Sequence, residues 1–255
     1  MSSADLTKRE FTLQSRPMTE GRTFNADEAV EPFVRLLGTP LPEPVLDLAC
    51  GPGIVTAAVA RTGTRVVALD LTDEMLAAAR RRCEAAALAN VEFRAGHAEK
   101  LPFEPGSFDG AVTRLSIHHF EHPDEALSEL HRVLSPEGVL VIGDIVASAD
   151  APAARLHNSL EKLRDPSHVR LLDEAELTRA VEHAGFRVDT IEAWENRKTF
   201  TEWAAVVSEA RSVEPVREVM HALARAGVDA GIELASVGDE VHFTHPWRFV
   251  RAVAV

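Results

Sequence analysis

The stretch VLDLACGPG, from Val45 to Gly53, runs a short strand straight into a turn that carries two glycines. A second apolar run, Arg65 to Leu69, closes on the acidic residue Asp70. Gly51 and Gly53 let the backbone approach a ligand without Cβ interference, and the helix that must follow points unpaired N–H groups into the same crevice. An acidic side chain ending the neighbouring strand is placed to accept hydrogen bonds from ribose hydroxyls. The pair therefore predicts a nucleotide crevice at the edge of a parallel sheet.

From Pro44 onward, short apolar runs alternate with helical periodicity. Strands are expected at 45–49, 65–69, 91–94, 108–113, 139–145, 186–193 and 241–253, and helices near 54–61, 73–87, 123–134 and 173–184. Thr72 is the expected N-cap of the second helix, with Asp73 and Glu74 in its first turn, where the helix dipole favours them. The fold class is α/β, a Rossmann-like seven-stranded, mostly parallel sheet with helices on both faces and helical cap insertions. A chain of 255 residues, 45% hydrophobic, can bury one substantial core. Residues 44–255 are read as a single domain with insertions at 147–172 and 195–240, and residues 1–43, with a helix near Ala26 to Leu37, as an N-terminal helical cap segment. All three additions are expected to roof the sheet edge where ligands bind.

Composition narrows the ligand. Lysine and arginine number 27 against 40 acidic residues, a net charge of −13 that repels a nucleic-acid backbone. The amino terminus MSSADLTKREFTLQ lacks the apolar core of a signal peptide, and no run is long enough to cross a bilayer, so a soluble, cytoplasmic protein without membrane insertion is expected. Cys50 and Cys83 are too few for a disulfide framework or a thiolate zinc site, and no metal is expected. A pyrophosphate-binding turn would need a third glycine at the position of Thr56, which disfavours an NAD-dependent oxidoreductase. The Asp47 carboxylate would also repel pyrophosphate, whereas it suits a ligand carrying an ammonium and a sulfonium.

Four further segments follow in order: VVALDLTDEML (Val66 to Leu76), NVEFRAGHAEKLPF (Asn90 to Phe103), FDGAVTRLSIHHF (Phe108 to Phe120) and ELHRVLSPEGVLVIGD (Glu129 to Asp144). Together with the first they resemble the class I S-adenosylmethionine-dependent methyltransferases, in particular the small-molecule branch of the ubiquinone and menaquinone C-methyltransferases. The resemblance covers roughly residues 40–146 and is specific to fold and cofactor. It implies S-adenosyl-L-methionine as cofactor and S-adenosyl-L-homocysteine as product. It assigns Asp47, Ala49, Cys50, Gly51 and Gly53 to the methionine and ribose portions, Asp70 to the ribose hydroxyls, and Leu71 and Met75 to the adenine. The family often has glycine where Ala49 stands, a change tolerable if φ stays negative. His97 stands where the family's GDAExLPF pattern has an aspartate that addresses the adenine amine. A neutral imidazole can accept that hydrogen bond and a protonated one cannot, so donor binding is expected to weaken as His97 gains a proton. Ala98 offers its backbone N–H, and Arg114 is expected to pair with a carboxylate, that of Asp47 or of the cofactor.

Methyl transfer from a sulfonium is an in-line displacement whose donor is already activated, and a base is needed only when the acceptor must lose a proton. His118 and His119 follow the fourth strand at the acceptor edge, and at most one of the two neighbours is expected to face the pocket. His168 is a third candidate, with Asp165 placed to orient it or, alternatively, to close a turn on itself ahead of Pro166. The expected reaction is methyl transfer to a small, apolar organic acceptor. The alternative keeps the cofactor without the transfer, as a non-methylating cyclase or isomerase or a cofactor-sensing protein. TRLSIHH after the fourth strand replaces the [DN]PP[YF] of amino-methylating DNA enzymes, and no GxSxG serine elbow occurs. The residues do not speak to oligomeric state or to the acceptor's identity.

Overall fold

The computed structural model describes residues 3–20, 29–207 and 213–255. Five strands run parallel: β1 (Val45–Leu48), β2 (Val66–Asp70), β3 (Val91–Ala95), β4 (Phe108–Arg114) and β5 (Leu134–Ile145). Two long strands, β6 (Phe186–Thr199) and β8 (Glu240–Ala254), extend the sheet antiparallel to one another, and β8 is antiparallel to β5. The order is β3-β2-β1-β4-β5-β8-β6, and the short β7 (Ala235–Val237) pairs with β8.

Among the described residues the sheet thus has eight strands where the sequence predicts seven. The added strand, β7, is three residues long and forms only by hairpin pairing to β8, so it lacks an apolar run of its own. Pairing also carries β6 on to Thr199, through polar residues whose burial alternates as expected for an edge strand with one face on the protein.

β1 and β2 are buried along their whole length because helices cover both faces. On one face α5 (Pro123–Val133) and α7 (Glu174–His183) pack over Leu46, Leu48 and Leu140. On the other, α2 (Glu31–Leu37) and α3 (Ile54–Ala60) pack over Val45, Val66 and Val141. Consecutive β1 residues serve opposite cores, as the two-residue strand period requires. Phe33 of α2 lies directly on the β5 backbone, where a Cβ at Gly143 would sit 2.3 Å from its ring. The helix expected at Ala26 to Leu37 starts at Glu31, and Ala26 to Glu28 lie outside the described residues. α4 (Asp73–Ala85) starts after Thr72 as expected, but the Thr72 side chain makes no capping hydrogen bond.

A second layer stands on the protruding ends of β6 and β8. α6 (Ala151–Arg164), α8 (Phe200–Ala204) and α9 (Glu214–Arg225) enclose a separate core of Leu160, Phe200, Trp203, Met220, Val241 and Phe243. α1 (Ser3–Glu20) crosses the sheet edge and lies beside α4, with a Thr12–Glu74 hydrogen bond of 3.1 Å. No helix among the described residues is long and apolar enough to cross a membrane.

The turn after β1 departs from expectation. Ala49 has φ +54°, in the left-handed region, not the negative φ that its side chain prefers. A non-glycine residue there costs about 1–2 kcal/mol, and glycine costs about 0.4–1 kcal/mol in extra unfolded-state freedom. Ala49→Gly should therefore raise the melting temperature by about 1–3 °C in a chain of this size. A fall in Tm by calorimetry would show that the alanine methyl contributes packing that outweighs the strain.

Candidate active site

The strand order reverses between β1 and β4, and the crevice beyond their carboxyl ends is where a doubly wound sheet receives a ligand. A cavity of about 1130 Å³, open to solvent, occupies that position. Asp47, Ala49, Cys50, Gly51, Asp70, Leu71, Met75, His97, Ala98 and Arg114 all line it. Gly53 does not. It begins α3 at φ +75°, and a Cβ there would meet the Ala79 Cβ of α4 at 2.8 Å, so its role is close helix packing. Thr7, Phe11 and Met18 of α1 close the cavity from above.

Asp70 ties the crevice together. Its Oδ2 accepts from the Gly51 N–H and its Oδ1 from the Thr72 N–H, each at 2.9 Å, so one carboxylate spans the ends of β1 and β2. Burial raises its pKa, opposed by these hydrogen bonds. Asp47, 1% exposed, accepts from Thr56 Oγ1 at 2.5 Å. Thr56, whose place a third glycine would take in a dinucleotide turn, is thus the hydroxyl that anchors this acid. Burial pushes the Asp47 pKa up to about 7, against the Thr56 hydrogen bonds, while Asp70 raises it further and Arg114 lowers it. Burial also brings Arg114 down to about 10, with Asp47 opposing, and its guanidinium lies 5.6 Å from the Trp247 ring. His97 is an exposed cavity residue in an isolated bridge with Lys100.

A second cavity, about 660 Å³, adjoins the first, and Phe11, Met18, Arg114, Leu115 and His119 line both. His118 lines the second cavity as well, so both neighbouring histidines reach the pocket, contrary to expectation. The short helix Ile117–His119 turns the chain tightly enough to bring them together, ring centroids 4.2 Å apart. His118 Nδ1 lies 2.5 Å from Asp144 Oδ1. Burial pulls the His118 pKa down, but the Asp144 charge and hydrogen bond override it and raise it.

His119 has the opposite character. Burial and the charge of His118 lower its pKa to about 4, against Asp165 and Ser167. Ser167 Oγ donates to Asp165 Oδ1 at 2.6 Å and lies 3.2 Å from His119 Nδ1. With its one proton given to Asp165, Ser167 accepts from His119 Nδ1–H, which leaves Nε2 as the free basic nitrogen. His168 lines neither cavity; its Nε2 pairs with Asn158 Oδ1 at 2.9 Å, and burial first, then His118, lowers its pKa to about 3. Asp165 does not orient His168 through its side chain. Its Oδ1 closes the turn on the Ser167 N–H and its Oδ2 accepts from Gln14 of α1 at 3.1 Å.

Sequence reasoning missed Asp144, Thr56 and the Ser167 relay. It also missed a buried group of His157, Glu161 and His245 in the cap layer, because the argument against a metal considered only cysteines.

A methyltransferase-domain family matches residues 46–142. The chain is 33% identical over 153 residues to the uncharacterized protein YafE of Escherichia coli, covering 60% of this chain and 74% of that one. It is 34% identical over 161 residues to a demethylmenaquinone methyltransferase of Clavibacter sepedonicus, covering 63% of each. The solved structure of the YcgJ protein of Bacillus subtilis shares the fold, with a TM-score of 0.81 at 23% identity over 90% of this chain and 99% of that one. With a cavity at the strand-order reversal, an acid in the last two residues of β1 and another ending β2, and these relatives, the chain belongs to the class I S-adenosylmethionine-dependent methyltransferases.

Proposed function

We propose that the first cavity holds S-adenosylmethionine and the second a small organic acceptor, and that the methyl group passes where the two cavities meet. The observation that carries this reading is the shared wall of Leu115, Arg114 and His119 between a nucleotide-type crevice and a capped pocket. Asp70 keeps lone pairs for the ribose hydroxyls after accepting two backbone hydrogen bonds. Asp47 faces the donor's ammonium and Arg114 its carboxylate. Leu71, Met75 and Ala98 flank the adenine, with His97 at the rim. The acceptor's carbon, oxygen or nitrogen attacks the methyl carbon in line as the carbon–sulfur bond breaks, and S-adenosylhomocysteine leaves. The chain supplies alignment, worth several kcal/mol when the reacting atoms are held about 3–3.5 Å apart. The second cavity combines the apolar walls of Phe11, Ile145 and Trp203 with Lys198 and Arg164, and suits an apolar body bearing an oxygen or a carboxylate. No observation favours the non-methylating alternative.

His119 is the base where an acceptor must lose a proton. Held neutral with Nε2 free, it accepts the proton, and Asp165 stabilises the resulting charge through Ser167. His118, paired with Asp144, has its protonated form favoured instead.

Two measurements test the assignment. The Asp47 carboxyl is protonated below about pH 7 and cannot then pair with an ammonium. Donor affinity by calorimetry should fall below pH 7, approaching about tenfold per pH unit. Asp47→Asn should flatten this slope while His97→Ala keeps it; the reverse pattern would return the pH effect to His97. The sign for stability is opposite, because a folded-state pKa raised from 3.8 to about 7 favours the unliganded fold at low pH and loses that contribution as pH rises through 7.

For the histidines, His119→Ala should cut S-adenosylhomocysteine release with an accepted acceptor by about 100-fold or more, while donor affinity changes little. Asp144→Asn should lower the His118 pKa, as followed by NMR titration. Equal loss of donor affinity and turnover in His119→Ala would reduce this residue to packing.

A further inference from the structure

The cap layer brings together three ionisable side chains that methyl transfer does not use. His157 and Glu161 stand one turn apart on α6, and His245 meets them from the protruding end of β8. They are 1%, 3% and 3% exposed. One ligand atom from each lies within 4.8 Å of the others. His245 Nε2 is 3.1 Å and His157 Nε2 3.7 Å from Glu161 Oε1, ion-pair distances without hydrogen-bond geometry, and the Nδ1 of each histidine is buried with no hydrogen-bond partner. A buried polar atom left unsatisfied costs about 1–3 kcal/mol, and such groups in a native protein point to a missing ion or water.

The chemistry of the set selects an ion. Two imidazoles and one carboxylate are the ligands of zinc-type divalent metals, whereas calcium and magnesium take oxygen. Metal–ligand bonds of about 2.0–2.2 Å place neighbouring ligand atoms about 3.0–3.5 Å apart; here the two imidazoles stand 3.1 and 3.7 Å from Glu161 Oε1 and no pair exceeds 4.8 Å, so binding an ion needs only a small contraction. Arg164 grips the other oxygen of Glu161, Oε2, through Nη2 at 2.9 Å and Nε at 3.2 Å, and so turns Oε1 toward the histidines. Arg164 and Lys198 are the nearby cations, and Asp165 and Glu202 balance them on the wall of the adjoining cavity.

We propose that His157, Glu161 and His245 bind one divalent transition-metal ion of the zinc class, fixing α6 to the β6–β8 ribbon. His245 also lines the second cavity, and three protein ligands leave a coordination position for water or for an oxygen of a molecule bound there. The two cysteines take no part: Cys50 lies in the nucleotide crevice and Cys83 on α4.

The test uses the full chain stripped with a chelator and titrated with Zn2+ by calorimetry and with Co2+ by visible absorption. The expected result is one equivalent bound, a Tm that rises with Zn2+, and a cobalt spectrum free of thiolate charge-transfer bands. His157→Ala and Glu161→Gln should each weaken Zn2+ binding by more than about 100-fold, and Arg164→Gln by about 10–100-fold. The unaltered chain carries the cobalt test alone if a substitution prevents folding. Absence of saturable one-to-one binding, unchanged affinity in His157→Ala, or thiolate bands in the cobalt spectrum would overturn the proposal. None of these readouts requires donor or acceptor, so failure here is distinct from failure of the methyl-transfer reading.

Discussion

The Asp70 carboxylate is the constraint on which the crevice depends. Backbone N–H groups from two separate loops, at Gly51 and Thr72, converge on its two oxygens. Without that bridge the turn after β1 and the entry to α4 would each have to satisfy a donor elsewhere. With it, both loops share one rigid reference point, and Gly53 can press α3 against Ala79 of α4. The helix N-terminus, the glycine turn and the acid are therefore one unit, and burying a charged group is sustained by the hydrogen bonds it accepts.

Strain gathers at the same place. Ala49 and Leu115 both hold positive φ, at +54° and +52°, and both line the first cavity at the ends of β1 and β4. A left-handed residue is tolerated only where surrounding contacts over-determine it. Here β1 and β4 pair along Val45 to Leu48, so the two chain reversals at their ends have little freedom to relax. The crevice is shaped before a ligand arrives, which suits a reaction whose demand is alignment.

How much of this the sequence made readable follows from the range of each interaction. The glycine turn, the acid after β2 and the parallel strands are encoded within a few residues, so apolar runs and turn chemistry locate them. Leu46 and Val45 serving opposite cores is the strand period made visible. The features that escaped are joined across distance in the chain: His118 with Asp144, His119 with Ser167, and Glu161 with His245. The pair His157 and Glu161 at helical spacing is itself readable, but nothing local indicates that β8 delivers the third member. β7 escaped for a related reason, since three residues gain strand geometry only from a partner. Ala49 shows the opposite failure, in which an intrinsic preference for negative φ yields to the tertiary demand of the turn.

The two cavities also differ in how far kinship can inform them. The matched family region, residues 46–142, contains most of the wall of the first cavity. Much of the wall of the second cavity comes from outside that region: Phe11 and Met18 from α1, Arg164 and Asp165 at the end of α6, and Lys198, Trp203 and His245 from the cap layer and its ribbon. That layer has its own apolar core, separate from the two that hold the sheet. Its side chains can change without disturbing the Asp70 clamp or the strand register beneath. An independently packed roof on a common sheet is an arrangement by which one scaffold can serve many acceptors, and on the proposed reading the polar groups of this roof, more than the sheet, set which acceptor fits.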